Sequence, residues 1–279
     1  MLAVLLLGAA TACSPQRDSS KPLVAVSIHP YELLLKDLCG DAVEVRAIIP
    51  ADASPHTWSP KPSDLKTLDA ADLIVINGAG LEHGLEQALR GREDKTVDAS
   101  GLPGVLPPEA GTEPNPHLWI SPLRVMALTR GLADPLQARF PALRDTISAR
   151  MQKLSANLLA LHIQITKERT AFGSPAVVTY HDSFQYFLDD YGINLAGMVM
   201  ESPGKEPGPK ELAKLADAIK AQKVRAIFVE PQFDRKAATV LAKEHNLNLV
   251  ELDPIGATLK AGSILDMLLT NWERIKQGL

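Results

Sequence analysis

Residues 141–172 read PALRDTISARMQKLSANLLALHIQITKERTAF, and they decide the architecture. Between 142 and 171 there is neither Gly nor Pro. Leu143, Ile147, Met151, Leu154, Leu158, Leu161 and Ile165 recur at steps of three and four. That spacing puts one apolar stripe on one side of a single helix. Thirty residues at about 1.5 Å each make a rod of roughly 45 Å. Pro141 suits the helix start, and Gly173, Ser174 and Pro175 stop it.

Outward from this helix, both flanks alternate short β-branched runs with longer helical patterns. Strands are expected at 23–28, 43–49, 72–77 and 95–98, then at 176–180, 195–200, 225–229 and 248–252. Helices are expected near 30–40, 63–70, 82–90, 122–138, 182–191, 209–222, 234–245 and 261–277. Strands spaced by helices argue βαβ units and parallel sheets. A chain of 279 residues is also longer than one core usually needs. The expected fold is therefore α/β. It has two domains with parallel-rich sheets flanked by helices, joined by one long rigid helix. The expected division is a leader and tether at 1–22, a first domain at 23–140, the connecting helix at 141–172 and a second domain at 173–279. A continuous helix resists the wide hinge opening that flexible linkers permit.

Composition narrows the function. Lys and Arg total 29 against 33 Asp and Glu, a net charge of −4, and aromatics are 5%, so a nucleic-acid partner is not expected. Cys13 and Cys39 are the two cysteines, too few for a disulfide scaffold or a cysteine-cluster metal site. Cys39 reads as a small buried apolar residue. The run MLAVLLLGAATA at 1–12 is apolar and uncharged, too short for a membrane span of about 20 residues. It reads as the apolar region of a secretory signal whose basic start lies upstream. Ala10, Thr11 and Ala12 lead directly into Cys13, resembling a bacterial lipoprotein cleavage site with Cys13 as the lipidated residue. Ala10 departs from the Leu usual there, and soluble-type cleavage is the alternative. SPQRDSSKP at 14–22 then reads as a polar tether. Either way the expected location is extracytoplasmic, in the periplasm or at the cell surface.

Of seven His, three sit in comparable loops. His56 follows the strand at 43–49 in PADASPHTWSPKPSD, His117 lies in EPNPHLWISP, and His181 follows the strand at 176–180 in VVTYHDSF. Asp253 follows the strand at 248–252 in LVELDPIG. Parallel α/β sheets bind ligands beyond the carboxyl ends of their strands. Two groups from each half can therefore converge on the interdomain cleft, and three imidazoles with one carboxylate suit a divalent transition metal. Taken alone, each His also fits a loop residue bonded to backbone. Pro55, Pro116 and Pro254 stiffen three of these four positions.

These segments resemble the metal-ion substrate-binding proteins of bacterial ABC importers, the zinc- and manganese-binding lipoproteins. PHTWSPKPSD, NPHLWISP, YHDSFQYFLDDYGI, KEPGPKEL, IFVEPQF and LDPIG are similar to six family segments, in the family's order. The long central helix is a further likeness. The resemblance implies His56, His117, His181 and Asp253 as metal ligands. It also implies the transmembrane subunits of an ABC permease as partner and a non-catalytic role. His181 stands where manganese-type members tend to carry a carboxylate, which points to Zn2+, with Mn2+ or Fe2+ as alternatives. Gly208 replaces a Ser common in the family. No acidic residue directly precedes Pro55, and 99–116 lacks the His-rich loop of many zinc-type members.

Glu201 and Glu230 follow strands and are candidates for orienting a ligand His through its distal N–H. Trp58 and Trp119 flank two proposed ligands and suit either covering the site or packing between domains. His29 and His83 read as loop or helix-start residues, His162 as the edge of the long stripe, and His245 as a helix C-terminal residue. The competing class is a secreted zinc hydrolase. It needs an open metal position and a base, here Glu230, while four protein ligands close the shell. An iron-chelate or cobalamin binder leaves the three His without a shared purpose. Imidazole ligands must be neutral, so three of them predict affinity falling below about pH 6. The expected assembly is a monomer.

Overall fold

The computed structural model describes residues 20–106, 114–201 and 204–279. The leader and Cys13 lie outside the described residues. All eight strands fall where the β-branched runs place them. β1 (Leu23–Val26), β2 (Glu44–Ala47), β3 (Leu73–Ile76) and β4 (Thr96–Asp98) form one parallel sheet in the order β2-β1-β3-β4. β5 (Ala176–Thr179), β6 (Asn194–Met198), β7 (Ala226–Val229) and β8 (Asn248–Glu251) form a second, in the order β6-β5-β7-β8. Central strands with both faces covered read as unbroken apolar runs. LVAV in β1 and AIFV in β7 are buried throughout.

The flanking helices are α1 (His29–Cys39), α2 (Pro62–Ala70), the short α3 (Glu86–Leu89) and α4 (Pro122–Arg139) in the first half. The second half carries α6 (Gln185–Asp190), α7 (Pro209–Gln222), α8 (Lys236–His245) and α9 (Ile264–Gly278). Between them runs α5 (Arg144–Arg169), 26 residues or roughly 39 Å at ~1.5 Å per residue. It is shorter than the uninterrupted stretch 142–171, because Pro141–Leu143 and Thr170–Phe172 tighten into single 3-10 turns. Ile147, Leu154, Leu158, Leu161 and Ile165 of the expected stripe are buried, with Leu143 and Met151 partly so. At α7, Gly208 cannot cap as Ser does, yet Glu211 reaches back to the Gly208 N–H, keeping half of a capping box.

The two halves are joined by the long helix as expected, and they also touch directly. α5 packs on α4, α1 and α9, and α9 also reaches α1, where the Ile264 N–H donates to Asp37 Oδ2 at 3.1 Å. One buried cluster runs from Leu23 and Val24 through Leu158 to Phe228, Met267 and Trp272. Alternate residues of the second sheet share it: Val177 and Phe228 join this cluster, while Val178 and Ile227 face a separate one under α7 and α8.

Candidate functional site

His181 and Glu230 leave the ends of β5 and β7, the neighbouring strands at which the second sheet's order reverses. This is where open parallel sheets form their ligand crevice. His56 comes from the loop after β2, and His117 from the segment leading into α4. Ser121 caps α4 by accepting from the Leu123 N–H, with Pro122 in the first turn, so the chain holding His117 enters the helix at a fixed angle.

The three imidazoles meet. His117 Nε2 lies 3.2 Å from His56 Nε2 and 3.2 Å from His181 Nε2. One ligand atom from each lies within 4.8 Å of the others. His117 and His181 are almost fully buried and His56 is half-buried. The distal nitrogens show which way the lone pairs face. His181 Nδ1 sits 2.6 Å from Glu230 Oε1, and His117 Nδ1 sits 2.8 Å from Asn115 Oδ1. A carboxylate and an amide oxygen accept, so each Nδ1 donates its proton and each Nε2 presents a lone pair to the shared centre. Lone pairs facing one another repel unless a cation lies between them. Tetrahedral zinc with bonds of about 2.0–2.1 Å sets nitrogen ligands roughly 3.3 Å apart, close to these separations.

Burial, with the neighbouring His181 and His56, pushes His117 well below the usual imidazole range. Burial, His181 and His83 bring His56 down to about 4. For His181 burial also acts downward, but Glu230, by charge and hydrogen bond, and Asp182 outweigh it, and the net shift is upward.

Supporting contacts cross between the halves. Asn115 Nδ2 donates to Asp182 O at 2.9 Å, and the Trp119 indole N–H donates to Pro254 O at 2.6 Å. Behind His117, the Asn77 amide donates to Pro116 O at 2.7 Å while accepting from the Tyr31 hydroxyl at 2.9 Å. The adjacent Gly78 has φ +76°, and a Cβ there would lie 1.8 Å from Asp98 Oδ1. Buried Glu82 accepts from the Asn77 and Gly78 N–H groups, and burial pushes its carboxyl up to about 7.

Asp253 is not brought into the imidazole group. It is buried, and its oxygens already accept from Ile255 N, Gly256 N, Thr258 N, Thr258 Oγ1 and Gln232 Nε2. The turn after β8 folds its own N–H groups onto the carboxylate, which a strand-end position does not reveal. Glu201 also lies apart: it is exposed and shares a surface cleft with Lys205, Glu206 and Glu211. Glu230 does reach its expected imidazole. Trp119, with its ring 5.5 Å from His117, lines the site and also ties the halves, so both readings of that residue hold. Of the four remaining histidines, three are engaged elsewhere, His29 with Glu32, His83 with Glu86 and His162 with Tyr191, and His245 lies in the last turn of α8. Asn115, Ser54 and Gln232 were not singled out from the sequence. Asn115 and Ser54 each stand within two residues of a ligand candidate, and Gln232 stands two after Glu230; this proximity is the one signal they carried.

The model of a family described as zinc-uptake complex component A, periplasmic, matches residues 24–278. A metal-binding protein of Thermotoga maritima is 31% identical over 257 residues, covering 92% of each chain. The high-affinity zinc uptake system protein ZnuA of Haemophilus ducreyi is 28% identical over 266 residues, 85% of this chain and 86% of its own. A manganese-binding lipoprotein of Halalkalibacterium halodurans is 26% identical over 259 residues, 88% of this chain and 84% of its own. A crystal structure of a ZnuA superposes with a TM-score of 0.82 at 27% identity, covering 92% of this chain and 99% of that one.

Proposed function

The chain belongs to the periplasmic zinc-uptake component A family, and from that premise we propose that it captures zinc outside the cytoplasm and delivers it to an ABC permease. The family consists of extracytoplasmic metal-binding proteins of ABC transporters, with zinc and manganese members, and not of enzymes. The observation that carries the zinc reading is the meeting of three Nε2 atoms at His56, His117 and His181, with the distal nitrogens of the last two held by Asn115 and Glu230. Imidazole suits zinc, whereas manganese favours a shell richer in carboxylates. Asp253, turned to its own backbone, leaves that trio all-nitrogen. Glu230, the residue a hydrolase would need as base, is occupied in orienting His181. The metal is cargo here, and the protein's part is to hold three neutral donors ready and to keep water largely out.

Cys13, as a lipidated residue, would keep the protein near its permease, and a monomer suffices for a site built within one chain. The test is metal analysis of protein purified without chelator, joined to a competition titration of zinc against manganese. Zinc should win clearly, and His117→Ala should lose at least tenfold in zinc affinity, as removal of a ligand costs more than the ~10–100-fold of an outer partner. Manganese preference, or full zinc affinity in His117→Ala, contradicts the reading.

A further inference from the structure

Three consecutive residues just after β3 hold positive φ: Gly78 at +76°, Ala79 at +50° and Gly80 at +77°. For Ala79, which has a Cβ, that conformation is strained, and such strain persists where the surroundings over-determine it. They do so here. Opposite oxygens of Glu82 take the Asn77 N–H at 2.7 Å and the Gly78 N–H at 3.0 Å, and Ser100 Oγ takes the Ala79 N–H at 3.1 Å. The residue this turn anchors is Asn77, which is fully buried.

The Asn77 amide has one allowed orientation. Nδ2 donates to Pro116 O at 2.7 Å and to Gly78 O at 2.9 Å, while Oδ1 accepts from the Tyr31 hydroxyl at 2.9 Å. Turned over, its oxygen would meet two carbonyl oxygens. Burial, Glu82 and Asp98 hold the Tyr31 phenol well above its usual range, so the proton it donates stays on. Pro116 O takes a second bond from the Leu118 N–H at 2.8 Å, and the His117 N–H donates to Asn115 Oδ1 at 2.9 Å. Both polar groups of the Pro116–His117 peptide unit are therefore engaged, and Asn77 fixes that plane from its carbonyl side. The second half repeats the address. Asn77 is the first residue after β3 and Glu230 the first after β7, and these strands take the third place in their sheets. Glu230 acts on the ring of His181; Asn77 acts on the chain that carries His117.

Resting on the three-histidine reading, we propose that Asn77, locked by Tyr31, is a positioning residue that sets metal affinity through the Pro116–His117 peptide. It does not touch the metal. Its part is to keep a buried imidazole at one place before the ion arrives, so that binding does not have to order the chain.

The test uses the full chain and a double-mutant cycle. Asn77→Ala and Tyr31→Phe are made in the wild type and in His117→Ala, and each protein is measured for zinc affinity by chelator competition and for metal-free melting temperature. Asn77→Ala should lose about tenfold in zinc affinity, the low end for a group acting through a ligand. Tyr31→Phe should lose about fivefold, the equivalent of one ordinary hydrogen bond, and it carries the cycle if Asn77→Ala does not fold. In the His117→Ala background either substitution should change zinc affinity by less than about twofold, because the ring being positioned is gone. A purely structural role would lower the melting temperature and leave the affinity of the folded protein alone. Wild-type affinity in the folded variants overturns the proposal, and so does a loss equally large with and without the His117 ring. Full zinc affinity in His117→Ala itself overturns the three-histidine reading; a weakened His117→Ala beside indifferent Asn77 and Tyr31 variants removes only the positioning role.

Discussion

His181 is the residue at which nitrogen or oxygen should tune metal choice. His181→Glu replaces an imidazole with a harder, charged donor beside Glu230, whose hydrogen-bond partner is lost. The added negative charge attracts any cation, so the readout is not affinity alone but the zinc-to-manganese ratio, which should fall at least tenfold by chelator competition. A folded variant with the wild-type ratio would take His181 out of the ligand set. The same residue governs acid sensitivity. Metal needs a neutral Nε2, and Glu230 raises the His181 pKa, favouring the protonated ring. Affinity is therefore full above that raised pKa and declines as pH falls through it. The decline is about tenfold per unit because one proton is displaced. His117 and His56 stay neutral until far lower, with His56 joining near pH 4. A zinc titration between pH 5 and 7 with a slope of three protons contradicts this. From the letters alone all three imidazoles look alike and predict three competing protons. Burial pushes all three down, and only the carboxylates beside His181, chiefly a glutamate arriving from a neighbouring strand, separate its behaviour. Strand-end placement made the three His candidates, two of them beside a proline, and the family resemblance singled out the set. The engagement of Asp253 was not legible, because it depends on how a turn folds its N–H groups back.

At the scale of the element, α5 shows what periodicity captures. Leu158 is 1% exposed on the stripe, while Ile163, equally apolar, is 59% exposed on the opposite side. Leu158→Ala should cost roughly 2–5 kcal/mol of unfolding free energy, and Ile163→Ala no more than about 0.5 kcal/mol, both by chemical denaturation. Equal effects would mean the stripe is not the packed face. The strands were equally legible, since short β-branched runs between helical patterns have few other uses. The helix ends were not: a run free of Gly and Pro shows where a helix can continue, not where its last turns tighten.

For the molecule as a whole, the shared core matters more than the connecting helix. Trp272 of α9 is fully buried against Phe172 and Phe187, and its indole N–H donates to Glu168 Oε2 on α5 at 2.8 Å. Trp272→Ala should cost about 3–5 kcal/mol. Calorimetry should show one cooperative transition moving down intact, since first-half and second-half residues unfold from one cluster. Two transitions, with the lower alone shifted, would instead mean that the halves are thermally independent. This was hidden in the sequence, where α9 reads as an amphipathic helix without saying which half it covers. Its place has a consequence for how the protein is made. Ile264, Met267, Leu268, Trp272 and Ile275 complete a core begun by Leu23 and Val24. A ribosome must therefore emit nearly the whole described chain before that core can close. The nascent polypeptide stays incompletely packed through almost all of translation, a condition in which it can still be threaded through a narrow translocation channel.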